Sequence, residues 1–166
     1  MKKMSCDYTT DDLIKFICKY NIATLATNGE AWPNQIATIF YATNDGSTLY
    51  AKFHILSDHG RAISRDKRVS LSIYNHNSTY HEKYGVQLRG HCYRVSDESE
   101  LRSAIDIYSN TFNGARERFD PVDVLLSDKA VSTLFRIDIL SGKIVTPKGH
   151  MPHYSDLINI NTSDSF

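Results

Sequence analysis

Long apolar runs are missing from this 166-residue sequence. No stretch approaches the roughly 18 apolar residues that a membrane-spanning helix needs. The segment from Met1 to Asp7 also lacks the apolar run of a secretory signal peptide. We therefore expect a cytoplasmic protein that has no membrane partner.

An excess of either charge is missing as well. Lys and Arg together number 19, Asp and Glu together number 19, and the formal net charge is 0. Nucleic-acid-binding proteins usually carry a basic surface, so this balance predicts no nucleic-acid partner. The apolar share of 41% and the charged share of 23% are typical of a soluble globular chain. We interpret residues 1–166 as one domain that ends in a loose polar tail from about residue 147.

Cysteine is scarce and has no paired spacing. The three cysteines, Cys6, Cys18 and Cys92, are widely separated, which argues against a disulfide framework, and no C-x-x-C pair suggests structural zinc. We interpret them as two buried thiols and one thiol near a mobile terminus. The seven histidines match no ligand spacing, and neighbours such as His91 and Cys92 point to opposite faces of a strand. The sequence therefore predicts no metal site. Gly-rich nucleotide loops of the Rossmann or Walker kind are also missing, and the spacing indicates no Ser-His-Asp or Cys-His constellation.

The chain is instead rich in short runs of β-branched and aromatic residues that are separated by turn signals. Asn28-Gly29 predicts a tight type I′ hairpin, and Asn44-Asp45-Gly46 predicts a second turn. The predicted strands are Ile22–Thr27, Pro33–Thr43, Thr48–Ile55, Val69–Tyr74, Tyr84–Val95 and Val131–Val145, the last one bent at Ser141-Gly142. This pattern predicts a mainly β fold, a six-stranded antiparallel split barrel with flanking helices. Because long strands with open edges usually pair with something, we expect a homodimer.

Helical periodicity is confined to a few segments between these strands. The predicted helices are Thr9–Tyr20, a short helix that Ser57 or Asp58 caps and that runs to Arg65, a longer one opened by Ser96-Asp97-Glu98, and a turn at Val124–Asp128. The short helix follows directly on the third strand, in the segment Ser57-Asp58-His59-Gly60-Arg61. Backbone amides at a helix N-terminus together with a guanidinium favour an anion, so one interpretation of this segment is a phosphate pocket. The alternative is a basic turn exposed to solvent.

The order of these elements resembles the pyridoxamine 5′-phosphate oxidase-like, FMN-binding split-barrel family. The stretch Ile22–Val95 carries the resemblance, with Ser-x-x-Gly-Arg placed before the short helix. The segment Gly85-Val86-Gln87-Leu88-Arg89-Gly90 is similar to the fifth-strand motif of that family, and Leu134-Phe135-Arg136-Ile137 fits its last strand.

The resemblance implies an FMN site that two protomers share. By position, Ser57, Gly60 and Arg61 would meet the phosphate, Ala37 and Thr38 would line the ring or ribityl chain, Lys52 and Phe53 would lie near it, and Gln87 would hydrogen-bond the ring. The implied activity is that of an FMN-dependent oxidoreductase, because FMN supplies the redox chemistry. The residues specify no particular small-molecule substrate.

Several residues depart from the family pattern. Asp58-His59 stands where the oxidase has a basic pair, Ile39-Phe40-Tyr41 stands where it has a lysine, and Gly142–Phe166 lacks its Arg-x-Pro signature. We therefore do not expect authentic oxidation of pyridoxamine 5′-phosphate. Two other hypotheses stay open. One is a non-enzymatic binding or stress-related split barrel with weak or no affinity for flavin, and the other is a heme-handling protein that uses histidines such as His150 or His153.

Overall fold

The computed structural model describes residues 8–29, 35–75, 84–145 and 158–159. The helices are α1 (Thr10–Lys19), α2 (Asp58–Arg65), α3 (Glu98–Thr111) and α4 (Val122–Leu126), with a 3₁₀ turn at Arg116–Arg118. The strands are β1 (Ile22–Thr27), β2 (Gln35–Ala42), β3 (Thr48–His54), β4 (Arg68–Tyr74), β5 (Gly85–Arg94), β6 (Ser132–Val145) and β7 (Ile158–Asn159). Among the described residues, no helix has the length and apolar composition that spanning a membrane requires.

Six of these strands close into an antiparallel barrel. The hydrogen-bonded order is β3-β2-β1-β4-β5-β6, and pairing between β3 and β6 completes the circle. The short β7 adds to β6 outside this circle, where Gly142 is the partner of Ile158. The predicted mainly β fold, a six-stranded barrel with flanking helices, is therefore confirmed.

Alternation along most of the strands builds the core inside the barrel. In β4, for example, Val69, Leu71 and Ile73 are buried and the residues between them face outward. A second, smaller cluster lies outside the barrel, where α3 and α4 cover β6. Its buried members are Val95, Leu101, Ala104, Ile105, Leu125 and Leu134.

Helix α1 packs its apolar stripe onto the barrel core. Thr9 caps the helix: its hydroxyl accepts from the amide of Asp12 at 3.2 Å, and the Asp12 carboxylate accepts from the amide of Thr9 at 2.9 Å. The buried hydroxyl of Tyr41 donates to the carbonyl of Ile17 at 2.8 Å, which joins the helix to β2. The buried residues of the helix are Leu13, Phe16 and Ile17.

The barrel is split between β2 and β3. These two strands pair only at Tyr41 with Ala51 and at Ala42 with Tyr50, whereas β2 pairs with β1 over its length from Gln35 to Phe40. Strand β6 bends where Leu140 is an extra residue between the partners of Arg89 and Gly90. The bend predicted at Ser141-Gly142 therefore lies next to the observed bulge.

Three expectations need correction. The tight hairpin at Asn28-Gly29 is wrong, because Thr27 pairs with Gln35 and the connection takes residues 28–34, of which 30–34 lie outside the described residues. The last helical turn begins earlier than predicted, since Pro121 precedes and opens α4. Cys18 is exposed, because it follows the buried stripe of α1 by one position, while Cys92 is buried as expected. Cys6, Pro33, His150, His153 and the tail up to residue 157 lie outside the described residues.

Candidate functional site

The opening in the barrel leaves one edge of β2 without a neighbouring strand. Among the described residues, nothing but the two pairs at Tyr41 and Ala42 joins β2 to β3, so residues 35–40 present an unpaired edge. The backbone of an unpaired strand edge offers alternating N–H donors and C=O acceptors. This edge contains the predicted site residues Ala37 and Thr38.

Helix α2 follows β3 directly and contacts β2, β1 and β5. Ser57 is its N-cap: the hydroxyl accepts from the amide of Gly60 at 3.1 Å and donates to the carbonyl of His54 at 2.7 Å. A Cβ on Gly60 would lie only 2.5 Å from the carbonyl oxygen of Ile55. The turn from β3 into α2 is therefore built by Ser57 and Gly60 themselves, and the hydroxyl proton of Ser57 is already donated within the chain.

His59, the second residue of α2, contributes little positive charge to the start of this helix. The His59 ring lies edge-on to Phe53 with the ring centroids 5.0 Å apart. Burial lowers the pKa of His59, an effect that the neighbouring Asp58 carboxylate partly opposes. His59 is then neutral at pH 7, and the exposed guanidinium of Arg61 is the cation of this turn.

The eight predicted site residues fall into separate groups. Ser57, Gly60 and Arg61 lie in the turn at the start of α2. Phe53 packs inside the barrel against Phe135, and Ala37 contacts the same core. Thr38 and Gln87 face outward in one row of cross-strand partners that runs from β2 through Thr24 and Ser72 to β5.

Lys52 lies apart from all of these. Its ammonium donates to the carbonyl of Arg118 at 2.5 Å and lies 4.7 Å from the ring centroid of Phe119. Burial lowers the pKa of this ammonium. Lys52 pairs with Leu134 of β6, whereas Gln87 pairs with Lys143, nine residues farther along the same strand. Nine positions in an extended strand span up to about 30 Å, so Lys52 and Gln87 lie beside different parts of β6.

A concave feature, which we call the outer groove, lies on the outward face of the sheet. Its volume is about 350 Å³, and its lining residues are Thr24, Ala26, Ile36, Ser70, Leu71, Ser72, Gln87, Leu88, Arg89 and Lys143. Of these residues, Gln87 alone was among the predicted site residues. Leu71 and Leu88 belong to the core, and the others are outward-facing positions of β1, β2, β4, β5 and β6. Alternation marks these positions as exposed but does not assemble them into one surface.

The sequence model of the family described as pyridoxamine 5′-phosphate oxidase matches residues 9–137 of this chain. The chain belongs to this family. No curated protein matches the sequence.

Several solved structures have the same fold as this family member, although their sequence identity to it is low. A conserved hypothetical protein of Mycobacterium tuberculosis has a TM-score of 0.69 and 20% identity, over 92% of this chain and 97% of that chain. A FAD-binding protein of Mesorhizobium loti has a TM-score of 0.64 and 17% identity, over 82% and 94%. A heme storage protein of Vibrio cholerae has a TM-score of 0.63 and 14% identity, over 82% and 93%.

The residues of this pyridoxamine 5′-phosphate oxidase family member fit the two ends of FMN unequally. The open edge of β2 suits a flat ring whose rim carries donors and acceptors. At the phosphate end, the hydroxyl of Ser57 and the amide of Gly60 already bond each other, which leaves the first amides of α2 and Arg61. Asp58 stands beside them with a charge that repels a phosphate. The roles of all eight predicted residues in flavin binding stay a prediction.

The histidines of this family member gather at no common point in the part of the chain that the structure describes, where no three potential ligands cluster. Cys92 faces the core and His91 the outside, as alternation predicted. Burial raises the pKa of the Cys92 thiol, and the Asp138 carboxylate adds to the shift. Cys92 is therefore a protonated core residue and not a nucleophile.

Proposed function

We propose that this protein is a flavin-dependent oxidoreductase whose FMN lies at the open edge of β2 beside the first turn of α2. The observation that carries the proposal is the split itself: the β2 edge from Gln35 to Phe40 has no strand partner among the described residues, and the N-terminus of α2 follows from the neighbouring strand. A bound FMN supplies the transfer of electrons to or from the substrate. The chain's own groups bind and orient the cofactor.

In this proposal the backbone edge around Ala37 and Thr38 holds the polar rim of the ring, and Arg61 with the first amides of α2 holds the phosphate. The Asp58 carboxylate repels a phosphate and the neutral His59 adds no attraction, so both weaken phosphate binding at the start of α2. The affinity for FMN is then lower than that of a site with a basic pair at these positions. We accordingly propose a substrate other than pyridoxamine 5′-phosphate.

We further propose that the working unit is a homodimer with the flavin at the subunit boundary. Lys52 and Gln87 pair with positions nine residues apart on β6, and a dimer would let residues of two protomers contribute to one flavin. Large apolar side chains are exposed on β2 and β4, the two strands that flank β1, with exposed fractions of 73% for Ile36, 53% for Phe40 and 59% for Tyr74. Exposed apolar side chains on one sheet favour burial against a second copy. The free thiols of Cys18 and Cys92 suit a reducing cytosol, where we expect the protein to act.

Titration with FMN, followed by flavin absorbance and fluorescence, tests the proposal. We expect saturable binding by the wild type, about tenfold weaker binding by Arg61→Gln, and tighter binding by Asp58→Arg. Arg102→Gln is the matched control, because Arg102 is exposed on α3 and pairs with Glu98 of the same helix. If neither the wild type nor Asp58→Arg binds FMN, the proposal fails. A Soret band on adding heme to such a protein would instead support the heme-handling hypothesis.

A further inference from the structure

The connection between α3 and α4 is fastened to the barrel at Lys52. The Lys52 ammonium donates to the carbonyl of Arg118 at 2.5 Å and lies 4.7 Å from the ring centroid of Phe119. Most of the connection is otherwise exposed, at residues 113–114 and 116–118. We call residues 112–120 the latch, because Lys52 joins this exposed segment to β3.

Lys52 stands at the point where the barrel splits. The last pair between β2 and β3 is Tyr41 with Ala51. Lys52 is therefore the first residue of β3 beyond that pair, and Phe40 is the first residue of β2 on the other side of the split. The flexible four-carbon stem of a lysine lets its ammonium turn either to the latch or toward the split.

A row of aromatic rings continues from the latch to the β2 side of the split. The ring centroids of Phe119 and Tyr108 are 5.8 Å apart, and those of Tyr108 and Phe112 are 4.7 Å apart. Phe112 in turn lies 6.0 Å from Phe40. Phe40 remains 53% exposed beside this contact, so the contact leaves the surface that we propose for the dimer free. The latch thus contacts both strands that border the split.

The partners that Lys52 has in the latch are neutral. A backbone carbonyl and the face of a phenyl ring attract an ammonium through a dipole and a quadrupole, whereas a phosphate adds the attraction between full opposite charges. Burial lowers the pKa of the Lys52 ammonium, and the nearby Asp120 carboxylate partly opposes this shift. An anionic ligand in the split can therefore take Lys52 from the latch.

We propose that the latch regulates the flavin site: it holds Lys52 in the free protein and gives it up when FMN occupies the split. This inference rests on the proposed function and adds a conformational step to it. The closed latch lowers the apparent affinity for FMN in proportion to the fraction of molecules in which Lys52 is free. By the same linkage, bound FMN favours the released latch.

Hydrogen exchange of the full chain, with and without FMN, tests the release directly. The amides of Ala115, Arg118 and Phe119 donate within the latch. Exchange in residues 112–120 should become faster at saturating FMN, although a bound ligand ordinarily slows exchange. Slower or unaltered exchange there in the saturated protein would overturn the inference.

Variants of Phe119 test whether the latch holds Lys52. Phe119→Leu removes the ring from the ammonium, and Phe119→Tyr keeps a ring there as the matched control. In NMR of labelled lysine without any ligand, Phe119→Leu should raise the pKa of Lys52, because the ammonium becomes more exposed. Phe119→Leu should also bind FMN about threefold more tightly than the wild type, whereas Phe119→Tyr should resemble the wild type. An affinity of Phe119→Leu that is equal to or weaker than that of the wild type would overturn the inference.

The variant Lys52→Met separates the latch from a general loosening of the segment, because it removes the charge and keeps an unbranched side chain. In this background Phe119→Leu should no longer tighten FMN binding, and an undiminished gain would contradict the role of Lys52. If neither the wild type nor any variant binds FMN, the proposed function fails and the regulatory role fails with it. If the wild type binds FMN and none of the expected changes occurs, the latch alone is refuted.

Discussion

At the scale of single residues, Gly60 shows how the site and the fold depend on the same turn. Its amide completes the cap of Ser57, and its missing side chain lets α2 approach the end of β3. The Ser-x-x-Gly spacing that suggested a phosphate pocket is thus also the spacing of a tight strand-to-helix turn.

Gly60→Ala is expected to destabilise the protein by about 2 kcal/mol. In an open helix the same change stabilises by up to about 1 kcal/mol, but here the new Cβ would lie 2.5 Å from the Ile55 carbonyl oxygen and 2.6 Å from that of His54. Urea unfolding measures the difference. Ser64→Ala, at an exposed position of the same helix, is the control and should stay within about 0.5 kcal/mol of wild type. A stabilised Gly60→Ala protein would show that the turn is looser than described.

Asp66 is a second residue whose hydrogen bonds should have a measurable effect, here on the pH dependence of stability. Hydrogen bonds from the Arg68 side chain, from the Arg68 amide and from Asn28 hold the pKa of this carboxyl far below its usual range. A group with a lowered folded pKa contributes stability that is present above its unfolded pKa of about 3.9 and is lost as the pH falls further.

Asp66→Asn should therefore be less stable than wild type at neutral pH. The difference in the free energy of unfolding between the two proteins, the stability gap, should narrow as the pH falls below about 4. Thermal unfolding at a series of pH values from about 6 to 2.5 follows this gap. Asp123→Asn, at an exposed position of α4, is the control for the loss of one carboxylate. A gap that stays constant with pH would mean that the Asp66 carboxylate contributes nothing to folding.

At the scale of elements, α4 is too short to be stable alone, and one side chain fixes it. Helices this short are marginal without tertiary contacts. The Arg94 guanidinium donates to the carbonyls of Leu125 at 2.9 Å and Ser127 at 2.7 Å, which are at the C-terminal end of the helix. Leu125 packs into the second, smaller cluster, which lies outside the barrel where α3 and α4 cover β6.

Arg94→Leu should lower the free energy of unfolding by about 2 kcal/mol, because two part-buried carbonyls lose a charged donor. Amide hydrogen exchange should become faster in residues 122–127 and stay unchanged in α1. Arg102→Leu removes only an exposed pair with Glu98 and should cost less than about 0.5 kcal/mol. Equal effects of the two variants would show that Arg94 does not anchor α4.

Elements were largely predictable from local patterns, and their assembly was not. Alternation predicted the strands, and the cap at Ser57 predicted the start of α2, because both signals depend on residues that are close together in the sequence. The Asn28-Gly29 hairpin failed because the pairing of Thr27 with Gln35 fixes a longer connection. The outer groove draws on β1, β2, β4, β5 and β6, which meet only after the barrel closes, so no local signal could have assembled it.

At the scale of the whole molecule, the proposed dimer follows from the exposed apolar residues on the outward face. Ile36→Lys should shift the protein toward the monomer in sedimentation velocity, because a desolvated charge at an interface is unfavourable. Val131→Lys is the control, since Val131 is also exposed, at 60%, but precedes β6 on another part of the surface. A monomeric wild type, or equal dissociation by both variants, would contradict this interface.

The claim that the open β2 edge and the start of α2 form the flavin site determines most of the functional account. Hydrogen exchange measured by mass spectrometry, with and without FMN, tests it most directly. We expect FMN to slow exchange in residues 35–40 and 57–61 and to leave α3 unchanged. Unaltered exchange in both segments at an FMN concentration that saturates the protein, or protection confined to other elements, would contradict the account.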